Sequence, residues 1–295
     1  MFHERSYARQ ANGFARDLVD PDRQKIAASW FDSSTVDYWR HARSYEIADY
    51  LGGRKGEKWL TVGDGRFGLD AVRLMGRGVA DVLATDLDES LLKSAKEKGV
   101  LKHYRVENAE KLSFDDRSFD YAFCKEALHH FPRPAIALYE MLRVSRKGVI
   151  LIEPSDRIGS WRRKLGVGAR RLLGRPRRHM DVGFYEEDGN YIFSISRREI
   201  EKVALAINMP QVAFKGLNDY YEPGLEFEPM TSARARKVLR IVKCRDLQCR
   251  FGFESHQLLM AILLYEAVPK VAREKMESMG WHFVDLPRNP HIRDE

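Results

Sequence analysis

Between Trp59 and Gly68 the chain reads WLTVGDGRFG, and few folds can use such a stretch. A short apolar run enters a glycine-rich turn, and apolar residues then recur at helical spacing (Leu69, Ala71, Val72, Leu74, Met75). That is a strand, a tight loop and a helix. Glycine lets backbone N–H groups come close to a ligand where a Cβ would block it, and the helix N-terminus adds a positive dipole end. A second apolar run, Val79 to Ala84, ends at Thr85-Asp86. A carboxylate at the tip of a second strand is placed to accept hydrogen bonds from a ribose diol. The pair of features predicts an adenosine-containing cofactor. Gly63 to Gly68 also fits G-x-G-x-x-G, the dinucleotide fingerprint, so this stretch alone leaves the choice of cofactor open.

The rest of the chain gives the setting. Strand-like runs fall at 59–62, 79–84, 103–106, 120–124 and 148–153, with helical stretches between them, notably 88–98 and 134–144. Such alternation predicts a parallel sheet covered on both faces. Residues before Gly53 read as helical. After the fifth strand come a basic segment, a helix at 197–207, a strand at 211–217, an acidic loop at 218–230, a basic helix at 232–243 and a last strand at 257–265. One helix and an extended end, FVDLPRNPHI, close the chain.

The later segments separate the cofactors. Asn108 to Ala122 (NAEKLSFDDRSFDYA), Glu126 to Phe131 (EALHHF), Glu140 to Gly148 (EMLRVSRKG) and Leu151 to Pro154 (LIEP) follow one another across residues 55–155. In order and spacing this series resembles the class I S-adenosylmethionine-dependent methyltransferases of the small-molecule type. The resemblance implies an α/β fold with a Rossmann-like seven-stranded sheet, helices on both faces and an antiparallel last strand. Around that core the chain reads as a helical N-terminal lid (1–53), a methyltransferase domain (54–268) with a basic insertion at 157–180 and another at 218–256, and a C-terminal extension (269–295). S-adenosyl-L-methionine would be the cofactor. Gly63, Asp64, Gly65 and Gly68 would pass under its methionine part, Asp86 would hold the ribose and Leu87 would lie against the adenine. Asn108 and Ala109 would meet the adenine edge, and Cys124 and Lys125 would line the methionine side through backbone groups. Arg43 is a candidate for the cofactor carboxylate. Three residues depart from the pattern: Thr61 where an acidic residue is usual, Phe67 where a third glycine is common, and Asn108 in place of aspartate.

For chemistry at an acceptor hydroxyl the candidates are His129 and His130, which follow the fourth strand at the edge where α/β proteins bind ligands, and Glu153 at the end of the fifth strand. The expected reaction is O-methylation of a sugar, glycan or related metabolite. Two other readings stay open on sequence alone: an NAD(P)-dependent oxidoreductase, from GDGRFG, and a non-catalytic S-adenosylmethionine-binding peripheral protein, from the departures at Thr61 and Phe67. Asp86 also has a plainer reading as a cap beside Asp88 and Ser90.

Composition limits the partners. The net charge is +7, yet Arg157, Arg162, Arg163, Lys164, Arg170, Arg171, Arg175, Arg177 and Arg178 form one acid-free block, and the remainder is slightly acidic. The basic character is thus local and does not suggest a nucleic-acid surface. It suggests an acidic or lipid-linked acceptor, or an anionic membrane met through 157–178. Three cysteines without a CxxC pair (Cys124, Cys244, Cys249) argue against a disulfide framework and against a metal site. With no apolar leader at the N-terminus, the expected location is cytoplasmic.

Overall fold

A computed structural model of the chain describes residues 2–13, 18–52, 55–156, 165–166, 168–169, 172–174, 185 and 191–292. Each of the nine cations of the basic block lies outside the described residues.

One mixed sheet organises the protein. Its strands are β1 (Lys58–Val62), β2 (Asp81–Asp86), β3 (Tyr104–Val106), β4 (Phe119–Lys125), β5 (Ser145–Pro154), β6 (Gln211–Leu217), β7 (Leu258–Leu264) and β8 (His282–Asp285). The order is β3-β2-β1-β4-β5-β7-β6-β8. The pairs among β1 to β5 are parallel, whereas β7 runs antiparallel between β5 and β6. Strand order reverses where β1 meets β4, and the crevice above such a reversal is where α/β sheets take ligands.

The two-residue period of the strands sorts the core into two layers. Trp59, Phe123, Ile150 and Ile262 face one side, against α5 (Leu69–Gly76) and α6 (Ser90–Glu97). Leu60, Ala122, Val149 and Leu263 face the other, against α7 (Pro134–Val144) and α8 (Arg197–Ala206). Both faces being covered explains why β4 is buried from Phe119 to Cys124.

The ends of the chain build around this sheet. At the N-terminus lie α1 (Phe2–Gly13), α2 (Pro21–Ser29), α3 (Val36–Ala42) and α4 (Ala48–Leu51). Between β6 and β7, α9 (Ala233–Arg250) packs Ala235, Val238 and Val242 with Leu225 onto Val36 of α3. Backbone bonds from Val36 to Glu228 and from Met230 to Ser34 tie the same two regions together.

Among the described residues the sheet has eight strands where seven were expected. After α10 (Lys270–Ser278), β8 pairs antiparallel with β6, from Gln211–Asp285 to Phe214–His282. Without it β6 would present an open edge, and burial of Trp281 and Phe283 anchors the added strand. The helix expected at 232–243 continues to Arg250.

Away from the crevice, Asp120 of β4 is fully buried and accepts from the Lys58 N–H (2.9 Å), Arg146 (2.9 and 2.8 Å) and Lys147 (2.8 Å). Burial pushes its carboxyl up, but these donors outweigh burial and hold it below the usual range. Replacing Asp120 with Ala should lower stability by about 2 kcal/mol, because a buried donor and two cations lose their acceptor. A depressed acid stabilises above its unfolded pKa, so the loss should be full at pH 7 and should fade as pH falls below about 4. Urea unfolding at both pH values checks this, and an unchanged midpoint at pH 7 contradicts it.

Candidate active site

The loop after β1 is shaped by contact and by charge. Gly63 has φ 77° and donates to Thr85 O (3.0 Å). A Cβ there would come 2.5 Å from Ala127 Cβ and 3.2 Å from Phe131. Only glycine suits both the backbone and the space. The helix α5 that follows begins at Gly68, which has no side chain to cap it. Asp64 caps it from the loop: its carboxylate accepts from Asp70 N (3.0 Å), Ala71 N (2.9 Å) and the Thr61 hydroxyl (2.8 Å). Burial, and next the Asp70 carboxylate, push Asp64 well above the carboxylate range.

These elements enclose a cavity of about 600 Å³ over the tips of β1 to β5. Gly63, Asp64, Gly65, Asp86, Leu87, Asn108, Ala109, Lys125, His129 and His130 all line it, so residues far apart in sequence share one wall. Asp86 ends β2. Its carboxylate accepts from Asp88 N (3.0 Å) and from the backbone N–H groups of Leu87 and Gly65. Burial pushes it up to about 6, against the pull of those N–H groups. Asn108 uses Oδ1 to accept Glu110 N (2.9 Å) and so closes its own turn.

At the tip of β4, Glu126 holds a left-handed backbone (φ 49°), rare outside glycine. The turn is fixed from β5. Glu153 Oε1 accepts from Ala127 N (3.0 Å) and Leu128 N (2.9 Å), and Oε2 meets His129 Nδ1 at 2.6 Å. The His130 ring lies 4.0 Å from that of His129.

Four expected site residues are placed otherwise. Glu153 is fully buried and does not line the cavity; it acts on the site through His129. Cys124 does not line it either, because it alternates onto the inner face of the sheet, where its thiol lies 3.8 Å from Glu153. Gly68 stands off the cavity, and its missing Cβ makes room for Leu101. Arg43 is turned away: its guanidinium stacks 4.5 Å over Trp39 and donates to Asn218 O (2.8 Å).

Other residues come in unannounced. Tyr7 of α1 lines the cavity and donates to Glu110 Oε2 (2.6 Å), which also binds Arg133, so the N-terminal helix is latched to the rim. His41 of α3 lines it as well, with Nδ1 3.3 Å from Lys125 Nζ. Burial, then the charges of Lys125, Arg40, Arg73 and Arg66, hold His41 well below the usual range, so it is a neutral acceptor for Lys125. Burial pulls Lys125 down, but Glu126 and Asp70 keep it above its ordinary value. His41 lay in an aromatic-rich helix, and Tyr7 had no neighbouring motif.

The arrangement fits S-adenosylmethionine on two observations: a glycine cradle that a Cβ would fill, and a buried carboxylate at the tip of β2 facing the same cavity. Comparison with known proteins agrees. Residues 60–152 match the family model of a methyltransferase domain. The chain is 36% identical over 107 residues to a ubiquinone biosynthesis O-methyltransferase of Alkalilimnicola ehrlichii, across 35% of this chain and 42% of that protein. It is 32% identical over 131 residues to one of Xanthomonas oryzae pv. oryzae, across 42% and 54%. The chain spans about half the length of the curated relatives it matches. The structure of a SAM-dependent methyltransferase from Archaeoglobus fulgidus shares the fold, with TM-score 0.50 and 12% identity over 78% of this chain and 94% of that one. Residues 60–152 therefore match a methyltransferase domain, on a fold shared with S-adenosylmethionine-dependent methyltransferases, and S-adenosylmethionine is the cofactor that this match supports. The dinucleotide reading of Gly63 to Gly68 gives way to this one.

If Asp86 holds the ribose, only its carboxylate form accepts both hydroxyls. Affinity for S-adenosylhomocysteine should then fall below pH 6, by up to about tenfold per unit. Asp86→Asn should remove that pH dependence and weaken binding at pH 7.5 by about one to two decades. Calorimetry at pH 5 to 8 checks both, and a wild-type affinity that is flat across this range contradicts the assignment.

Proposed function

We propose that the protein transfers a methyl group from S-adenosylmethionine to a hydroxyl oxygen of a small-molecule acceptor, with His129 taking the hydroxyl proton. The observation that carries this reading is the His129–Glu153 pair, 2.6 Å apart, with the imidazole in the cavity wall and the carboxylate behind it. When bound, S-adenosylmethionine supplies a methyl group on a positively charged sulfur. A neutral hydroxyl is a weak nucleophile, so its proton must leave as the new C–O bond forms. With Nδ1 held by Glu153, His129 exchanges protons through Nε2. The carboxylate orients the ring and favours the imidazolium that results. Glu153 is thus a positioning residue. Tyr7 of α1 and His41 of α3 line the cavity, and these helices would help to limit water, which alignment-driven chemistry requires.

The curated relatives are named as O-methyltransferases, which supports oxygen as the acceptor atom. Their names speak for ubiquinone biosynthesis and give no support to the sugar or glycan acceptor expected from the sequence. Trp30, Tyr45 and Phe131 in the cavity wall favour an acceptor with a flat apolar body. The basic segment 157–178 remains a proposal for binding an anionic membrane or a lipid-linked acceptor. On α9, exposed Arg236, Arg240, Lys243 and Arg250 lie alongside exposed Leu247 and Phe251, a composition that supports the same reading. Among the described residues no helix is long and apolar enough to cross a membrane.

Replacing His129 with Ala should lower kcat by about 10²-fold while the Kd for S-adenosylhomocysteine stays the same. Glu153→Gln, which keeps an oxygen for Ala127 and Leu128, should lower kcat with KM little changed. Steady-state kinetics over a panel of hydroxylated acceptors measure both. Full activity in His129→Ala rules out this base, and no transfer to any acceptor by the wild type speaks for a binding protein.

Vesicles containing an anionic phospholipid should capture the protein at low salt and release it at high salt. Equal retention on neutral vesicles contradicts the membrane proposal.

A further inference from the structure

Helix α9 carries seven basic residues and a single acid, and its two sides differ. The inner side, with Ala235, Val238 and Val242, is buried against Val36 and Leu225. Three of the cations are taken up by the fold itself. Arg234 and Lys237 pair with Glu222 (2.7 and 3.2 Å), and Arg245 donates to Gln257 Oε1 (3.0 Å). The acid, Asp246, accepts from Asn218 Nδ2 (2.8 Å).

The other four cations, Arg236, Arg240, Lys243 and Arg250, are exposed. With Leu247 they follow one another at steps of three or four residues, so they share one face of the helix. Among the described residues Arg240, Lys243 and Arg250 meet no carboxylate, and Arg236 donates to the Thr231 carbonyl (2.9 Å). Like charges at this spacing repel and weaken a helix. The row ends in apolar side chains. Leu247 is 53%, Phe251 65% and Phe253 50% exposed, and the two phenylalanine rings lie 6.4 Å apart. Apolar groups gathered at one exposed end mark a contact surface.

A row of cations leading to an exposed aromatic pair suits a partner that is anionic at its surface and apolar just beneath. A bilayer with anionic headgroups is both. Duplex nucleic acid offers the charge without such an apolar layer. The face also lies one helix away from the candidate site: the inner side of α9 packs on α3 through Val36, and α3 brings His41 to the cavity wall.

We propose that this face of α9 docks on an anionic lipid bilayer, with Arg236, Arg240, Lys243 and Arg250 at the headgroups and Leu247, Phe251 and Phe253 in the outermost hydrocarbon. The inference deepens the membrane reading given above and rests on it. It moves the contact from 157–178 to a helix fixed in the fold, lying along the surface.

Co-sedimentation with vesicles of phosphatidylcholine and phosphatidylglycerol tests this, with S-adenosylhomocysteine affinity and melting temperature as controls on folding. Arg240→Gln, Lys243→Gln and Arg250→Gln together should lower vesicle affinity at least tenfold and flatten its salt dependence, since each basic residue near an anionic surface is worth about fivefold. Phe251→Ser with Phe253→Ser should lower affinity about tenfold and leave the salt dependence as it was. A solvent-sensitive dye on the exposed Cys244, in a Cys249→Ser background, should shift to shorter wavelength when vesicles are added. Wild-type affinity in the triple variant would return the contact to 157–178 and overturn the role of α9, while the membrane reading stands. No capture of the wild type at low salt would overturn both. Tighter capture of duplex DNA than of vesicles, lost in the same triple variant, would make the face a general polyanion surface and overturn the bilayer as its partner.

Discussion

The cavity depends on the carboxylate of Asp64. Helix α5 starts at a glycine and has no side chain of its own for its first N–H groups, which a buried helix end cannot leave unmet. Asp64 reaches from the loop to Asp70 N and Ala71 N, and Thr61 on β1 donates to the same carboxylate. One buried acid thereby joins strand, loop and helix and sets how closely Gly63 passes Ala127 and Phe131. The acidic residue missing at Thr61 is not simply lost. A hydroxyl stands there, and the carboxyl group comes from three residues later.

The same device recurs at the other strand tips. Asp86 holds the N–H groups of Leu87, Asp88 and Gly65, and Glu153 holds those of Ala127 and Leu128. Each acid fixes backbone first, and its relation to a ligand follows from that. Asp86 keeps its place in the cavity wall, while Glu153 is sealed behind His129. The histidines at the cavity differ in their surroundings. Burial, then neighbouring cations, hold His41 well below the usual range although Asp37 and Glu126 lie 3.8 and 3.9 Å away, whereas His129 meets the buried Glu153 at 2.6 Å.

Much of this was legible in the sequence because it is local. Strand alternation, the glycine turn and Asp86 are set by residues within a few positions of one another. The expected helix at 134–144 and the strand at 211–217 match α7 and β6 to the residue. What escaped was non-local. Arg43 and Arg73 are both cations on helices near aromatic residues. Only packing shows that Asn218 and Trp39 claim the first, while the second lines the cavity. Tyr7 meets Glu110 across 103 residues. Cys124 falls one residue before Lys125, and strand alternation turns it to the core while its neighbour meets the cavity. The eighth strand follows from an edge on β6 that no local pattern announces.

A crystal structure of the protein with S-adenosylhomocysteine tests the central claim most directly. The account predicts the nucleoside in the cavity over β1 to β4, with its ribose hydroxyls in hydrogen-bond contact with Asp86 and its sulfur on the side walled by His129. A nucleoside bound outside this cavity, or inside it with the ribose away from Asp86, would contradict it.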